Sequence, residues 1–152
     1  MKTILALDMA RVFGWAWVKP DGSSMSGEVD LGKDRANSQR LRIFEAWLVH
    51  ELEGRKPDLL AYEAPVVRGK YPNFLGIQLE AIVLLVCEKM GVSYIATPPT
   101  TIKKHATGYG RAEKKDMIEA ARKRWGVDVG NKEDNRADAL CLGAWALSEV
   151  EL

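Results

Sequence analysis

Short apolar runs alternate with longer stretches of helical repeat along the chain, and their order restricts the fold. "TILALDMA" is apolar and ends in Asp8, which predicts a buried strand whose last residue emerges at a sheet edge. "GWAWVKPDG" puts Trp15 and Trp17 on one face of a second strand and closes on Pro20, Asp21 and Gly22, a hairpin turn. "SMSGEVDLG" supplies a third strand, so the chain opens as an antiparallel meander. From Asp34 the period changes, with Leu41, Phe44, Leu48 and Leu52 at helical spacing until "EGRKPD" stops the helix. "DLLAYEAP" is a fourth strand, with Glu63 near its end before Pro65 breaks it. A second helix, from about Asn73 to Met90, is apolar nearly all round between Ala81 and Cys87 and has Gly91 as its C-cap. Such a helix needs cover on more than one side, with the sheet on one and a second subunit as a candidate for another. "VSYIATP" is a fifth strand, followed by a helix, a loop with Gly108 and Gly110, and a helix ended by Gly126; the last helix lies in "NKEDNRADALCLGAWAL", Asn131 to Leu147. This order of elements predicts an α/β protein with a five-stranded mixed sheet, three antiparallel strands and then parallel ones, flanked by helices.

The last helix poses a chemical question. Asp134, Asn135 and Asp138 lie three and four residues apart and so share a face. Asp134 or Asn135 as N-cap satisfies free N–H groups and suits the helix dipole. Asp138 is different, because it precedes Ala139, Leu140, Cys141, Leu142 and Ala144, and a carboxylate at the edge of a buried face needs a cation or metal as partner. Asp8 and Glu63 each end an apolar strand, and two parallel neighbours would deliver both carboxylates to one sheet edge. A lone strand-end acid is ordinarily a solvated or turn-capping group. Three or four converging oxygen donors without His or Cys instead suit Mg²⁺ or Mn²⁺. Two such ions, about 4 Å apart, activate a water and stabilise the leaving oxygen in phosphodiester hydrolysis.

A chain of 152 residues with 47% hydrophobic residues is long enough for one well-buried domain, expected to span 1–152, and no repeat or linker divides it. The net charge of +1 does not advertise a nucleic-acid binder. Locally the picture changes: Lys103, Lys104, Arg111, Lys114, Lys115, Arg122, Lys123 and Arg124 stand against Glu113, Asp116 and Glu119. Lys114 follows the glycine loop and opens a helix, where N–H groups and dipole favour an anion. Cys87 and Cys141 sit in apolar helical patterns without metal-ligand spacing and read as reduced core thiols. The N-terminus has no cleavable signal pattern, and no apolar run approaches the roughly 20 residues of a membrane span, so the expected location is cytoplasmic.

These residues resemble the RuvC-type Holliday junction resolvases, especially their phage-borne branch, over nearly the whole chain. The matching pieces are "LALDMARVFGWAWV" with Asp8 and Gly14-Trp15-Ala16, "LLAYEAP" with Glu63, "FLGIQLEAIVLL", "IKKHATGYGRAEKKDMI" and "NRADALCLGAWA" with Asp138. The fourth, a basic helix with a T-G-x-G loop and Ala-Glu-Lys before another helix, is the most specific. The resemblance implies an RNase H-like fold, a homodimer and two Mg²⁺ or Mn²⁺ ions per site. It also implies structure-selective cleavage of four-way junctions or other branched DNA, leaving 5′-phosphate and 3′-hydroxyl ends, in a bacterial or phage-infected host cytosol. Asp8, Glu63 and Asp138 match acidic positions of the family. The fourth position, usually Asp or His, is Asn135, whose amide oxygen ligates without charge, and Asp134 is the alternative. The family's Asp-Pro-Gly after the first strand is replaced by Asp8-Met9-Ala10-Arg11.

Lys103 and Lys114 match lysines that contact the scissile region, and Lys114 joins the three acids in the expected catalytic set. DNA contacts are expected from Lys103, Lys104, Arg111, Lys114 and Lys115, and from Arg68, Lys70 and Tyr71 just after Glu63. Val66 and Val67 occupy the positions comparable to the family's base-stacking aromatic; Tyr71 or Phe74 is the candidate substitute, with Phe74 reading more readily as a core residue of the second helix. The five tryptophans read as packing residues. Two other readings remain: a YqgF-type RNase H-fold nuclease acting on RNA, against which the "TGYGRAEKK" loop argues, and a junction-binding protein whose metal site is weakened by Asn135.

Overall fold

The computed structural model describes residues 2–150. β1 (Ile4–Asp8), β2 (Val12–Val18) and β3 (Ser24–Asp30) form the expected meander, and α1 (Asn37–Gly54) leads to β4 (Leu59–Glu63). α2 (Phe74–Met90), β5 (Tyr94–Thr97), α3 (Pro99–Thr107), α4 (Lys114–Trp125) and α5 (Asp134–Glu149) complete the chain. The strands lie in the order β3-β2-β1-β4-β5. β1 runs antiparallel to β2 and parallel to β4, and β4 runs parallel to β5. This is the mixed sheet that the hydrophobic pattern predicts.

Side-chain parity on the central strands divides the interior into two layers. Leu5 and Leu7 of β1, Phe13 and Trp17 of β2, and Leu60 and Tyr62 of β4 face α1 and α2, where Phe44, Leu48, Leu79 and Val83 meet them. Ile4, Ala6, Ala16, Val18 and Ala61 face the other way, against α4 and α5. The second face is made of small residues, and α5 answers with Ala137, Ala139, Gly143, Ala144 and Ala146. Helix and sheet therefore approach closely. A Cβ on Gly14 of β2 would overlap the Asn135 carbonyl, and one on Gly143 would press on Val18. Glycine at these two positions lets α5 rest on the sheet.

Several sequence expectations hold in detail. Gly91 and Gly126 cap α2 and α4 in the left-handed conformation. Both cysteines are free and buried, with burial pushing the Cys141 thiol up to about 12. Trp17, Trp125 and Trp145 are buried, while Trp15 and Trp47 pack at the edge of the α1 layer. Two expectations fail. Phe74 is not a core residue: it is 67% exposed at the start of α2. The N-cap of α5 is Glu133, not Asp134 or Asn135, so Asp134 is the first helical residue and its carboxylate pairs with Lys114 instead of capping the helix.

Candidate active site at the carboxyl ends of β1 and β4

Parity decides where the strand-end acids point. Asp8 follows Ile4 and Ala6 on the α5 face, and Glu63 follows Leu59 and Ala61 on the same face. The parallel register pairs Leu7 with Tyr62, so Asp8 and Glu63 come next, side by side. Asp138 enters from α5, one helical turn beyond the contact between Asn135 and Gly14, and Gly14 itself pairs with Asp8 across the antiparallel ladder. One small pocket is lined by Asp8, Glu63 and Asp138 together with Lys103, Ile102, Pro99, Met117 and Leu142. Its roof follows from the chain path: β5 ends at Thr97 beside Glu63, and Pro98-Pro99 turn directly into α3.

Burial and like charge dominate the electrostatics. Asp8 is only 5% exposed, and its carboxyl is held well above the usual carboxylate range by burial, by a hydrogen bond shared with Glu63, and by the charges of Glu63, Asp138 and Asp134. Asp138 is raised to about 7 by burial and by Glu63 and Asp134, while Lys103 and Lys114 pull the other way. Lys114 opens α4 and holds its ammonium 3.5 Å from Asp134, and Lys103 stands in the pocket wall. Among the described residues no three His, Cys, Asp or Glu side chains stand in ready ligand geometry for a metal ion. The donor set nonetheless fits a hard cation: every donor is oxygen, and the acids converge on one small pocket where they repel one another.

The other sequence candidates are distributed around this centre. Asn135 does not line the pocket, and its peptide carbonyl rests on Gly14. Asp134 acts on both Asp8 and Asp138 through its charge. Lys104, Arg111 and Lys115 are exposed along α3, the glycine loop and α4. Arg122 is committed to the fold instead, donating to the Val129 carbonyl and to Asn131. Arg68, Lys70 and Tyr71 are exposed in the loop after Glu63, where the Lys70 ammonium lies 5.5 Å from the Tyr71 ring centre. Sequence reasoning missed Glu28, Ser26 and Arg136, which hold the start of α5 against β3. A mid-strand glycine at position 14 was the available signal that a backbone approaches there.

An RNase H-like sheet with acids at the ends of two parallel strands and on the helix crossing them defines the class of protein to which this chain's architecture corresponds. No family model matches the chain. Over 105 residues the chain is 32% identical to the crossover junction endodeoxyribonuclease RuvC of Thermomicrobium roseum, covering 68% of this chain and 64% of that protein. It is 25% identical over 124 residues to RuvC of a Synechococcus strain, covering 82% and 70%. The structure of T. thermophilus RuvC in complex with Holliday junction substrate superposes with a TM-score of 0.80 at 18% identity, over 95% of this chain and 92% of that one. The chain is therefore similar, in sequence and in fold, to the RuvC-type Holliday junction resolvases.

Proposed function

We propose that the protein is a divalent-metal-dependent, structure-selective endonuclease that cleaves Holliday junctions, and other branched DNA, by phosphodiester hydrolysis, leaving 5′-phosphate and 3′-hydroxyl ends. The observation that carries the reading is the convergence of Asp8, Glu63 and Asp138, from two strands and a helix, on one pocket walled by Lys103. The whole chain acts as one nuclease domain in this reading, and its place of action is the cytoplasm, where the DNA is.

Asp8, Glu63 and Asp138 would hold the metal, with Asp134 as the fourth acid and Asn135 as the neutral alternative on the same turn of α5. Ionised, these four carboxylates would match the charge of two divalent ions, Mg²⁺ or Mn²⁺. When bound, the ions supply a Lewis acid for water activation and for the charge developing on the leaving oxygen. Lys114 orients the scissile phosphate from the start of α4, and Lys103 steadies negative charge on the phosphorus oxygens in the transition state. Lys104, Arg111 and Lys115 carry one arm of DNA past the pocket, while Arg68, Lys70 and Tyr71 meet the strands at the branch, where an exposed aromatic stacks on an unpaired base.

The reading includes a homodimer, because a four-way junction offers two symmetric strands to two sites. Supporting it, α2 presents Phe74, Leu84 and Leu85 to solvent at 67%, 37% and 48% exposure, and Ala81 is exposed on the same helix. The test is a substrate panel: a four-way junction, a three-way branch, linear duplex and structured RNA, each with Mg²⁺, with Mn²⁺ and with EDTA. Metal-dependent cutting of branched DNA alone supports the proposal. Cutting of RNA in preference to the junction transfers the assignment to the RNA-directed class, and tight junction binding without cutting under either metal transfers it to a binding protein.

A further inference from the structure

α5 begins without a cap of its own. Glu133 stands at the N-cap position, but its carboxylate bonds outward to the Gly130 N–H at 2.8 Å and no side chain of the helix satisfies its first turn. The missing acceptor comes from the sheet: Glu28 Oε2, on β3 and 108 residues away in sequence, accepts the N–H of Arg136 at 3.0 Å. The Arg136 side chain completes the clamp. Its Nε donates to Ser26 Oγ at 2.8 Å, and its Nη1 lies 3.3 Å from Glu133 Oε1, with 19% of the side chain exposed. Ser26 and Glu28 share one face of β3, two residues apart, so β3 grips both the backbone and the side chain of a single residue.

Arg136 lies between Asp134 and Asp138, on the opposite side of the helix from the pocket. A rotation or slide of this turn moves both acids together, and Gly14 beneath Asn135 blocks movement toward the sheet without preventing movement away from it. The clamp supplies that missing restraint. We propose that Glu28 and Arg136 are positioning residues that fix the first turn of α5 so that Asp138 and Asp134 face Asp8 and Glu63, and that metal affinity depends on this clamp. The inference rests on the pocket being a metal site, as in the proposed function.

The experiment measures Mn²⁺ affinity directly, from the electron paramagnetic resonance signal of unbound Mn²⁺, for the wild-type protein, Asp8→Asn, Glu28→Ala, Glu28→Gln and Ser26→Ala, with thermal melting recorded on each. Glu28→Ala is expected to weaken Mn²⁺ binding about 10-fold, the scale on which residues supporting metal ligands act. Glu28→Gln, which keeps an acceptor oxygen, is expected to restore most of the affinity. Ser26→Ala, which removes only the anchor of the Arg136 Nε, is expected to weaken binding in the same direction, and it carries the test if Glu28→Ala does not fold. Junction binding in EDTA is expected to be unchanged in all three clamp variants. A folded Glu28→Ala protein, or in its place Ser26→Ala, that melts lower but binds Mn²⁺ as the wild type does would overturn the proposal, because the clamp would then serve stability alone. If wild type and Asp8→Asn bind Mn²⁺ equally, the metal-site reading itself fails and takes the clamp proposal with it.

Discussion

Asp138 shows what the fold asks of single residues. Its acid form is favoured in the folded chain, with a pKa of about 7 against 3.8 for the free side chain, and Asp8 is shifted in the same direction. The sign is fixed by linkage: the stabilising contribution is fully present below about pH 4 and is lost as pH rises through about 7. Metal-free protein is therefore expected to melt at lower temperature at pH 8 than at pH 5. Mg²⁺ is expected to raise the melting temperature far more at pH 8, because binding requires the ionised ligands. Scanning calorimetry with and without EDTA checks both, and a melting temperature that is flat across this range without metal would contradict the account. Gly14 is the second residue on which the site depends. A methyl group there would occupy the space of the Asn135 carbonyl, so Gly14→Ala should destabilise by about 1–3 kcal/mol in urea melts, as overpacking does, and should reduce cleavage beyond what the lost stability explains.

Among the elements, those with one clear hydrophobic period were legible in sequence. β1 and β4 could be read from apolar runs closed by an acid, and their parallel pairing followed from the helix between them. Parity carries Asp8 and Glu63 to one face, so their convergence at one sheet edge could be anticipated from residue order. The start of α5 could not. Its cap comes from Glu28 on a strand 108 residues earlier, and no local pattern announces a bond of that span. Within α2 only Phe74 departs from expectation, because an apolar face buried inside a chain and an apolar face left exposed have the same period. The exposed face of α2 makes its own prediction. Leu85→Glu should leave the fold intact, since Leu85 is 48% exposed, yet convert a dimer to monomer in sedimentation equilibrium and uncouple the paired nicks on a junction. Sedimentation as a monomer by the unsubstituted protein would contradict this.

At the scale of the whole molecule, a net charge of +1 conceals a division of labour. Asp8, Glu63 and Asp138 are gathered in one pocket with Lys103 in its wall, and exposed cations lie on α3, α4 and the loop after β4. Junction affinity should accordingly fall steeply with salt, and replacing Lys104, Arg111 or Lys115 by Ala should each reduce the slope of log K against log salt by roughly one. Fluorescence anisotropy in EDTA measures this apart from cutting, and a slope unchanged in all three variants would place the DNA elsewhere. If Asp8, Glu63 and Asp138 hold a catalytic cation against branched DNA, as proposed, cleavage of an end-labelled immobile four-way junction by wild type and Asp8→Asn, in Mg²⁺ and in EDTA, with binding followed in parallel, shows it. Paired symmetric nicks that require metal and disappear in Asp8→Asn while the junction is still bound are expected. Nicks that persist in EDTA, or in Asp8→Asn, would contradict it.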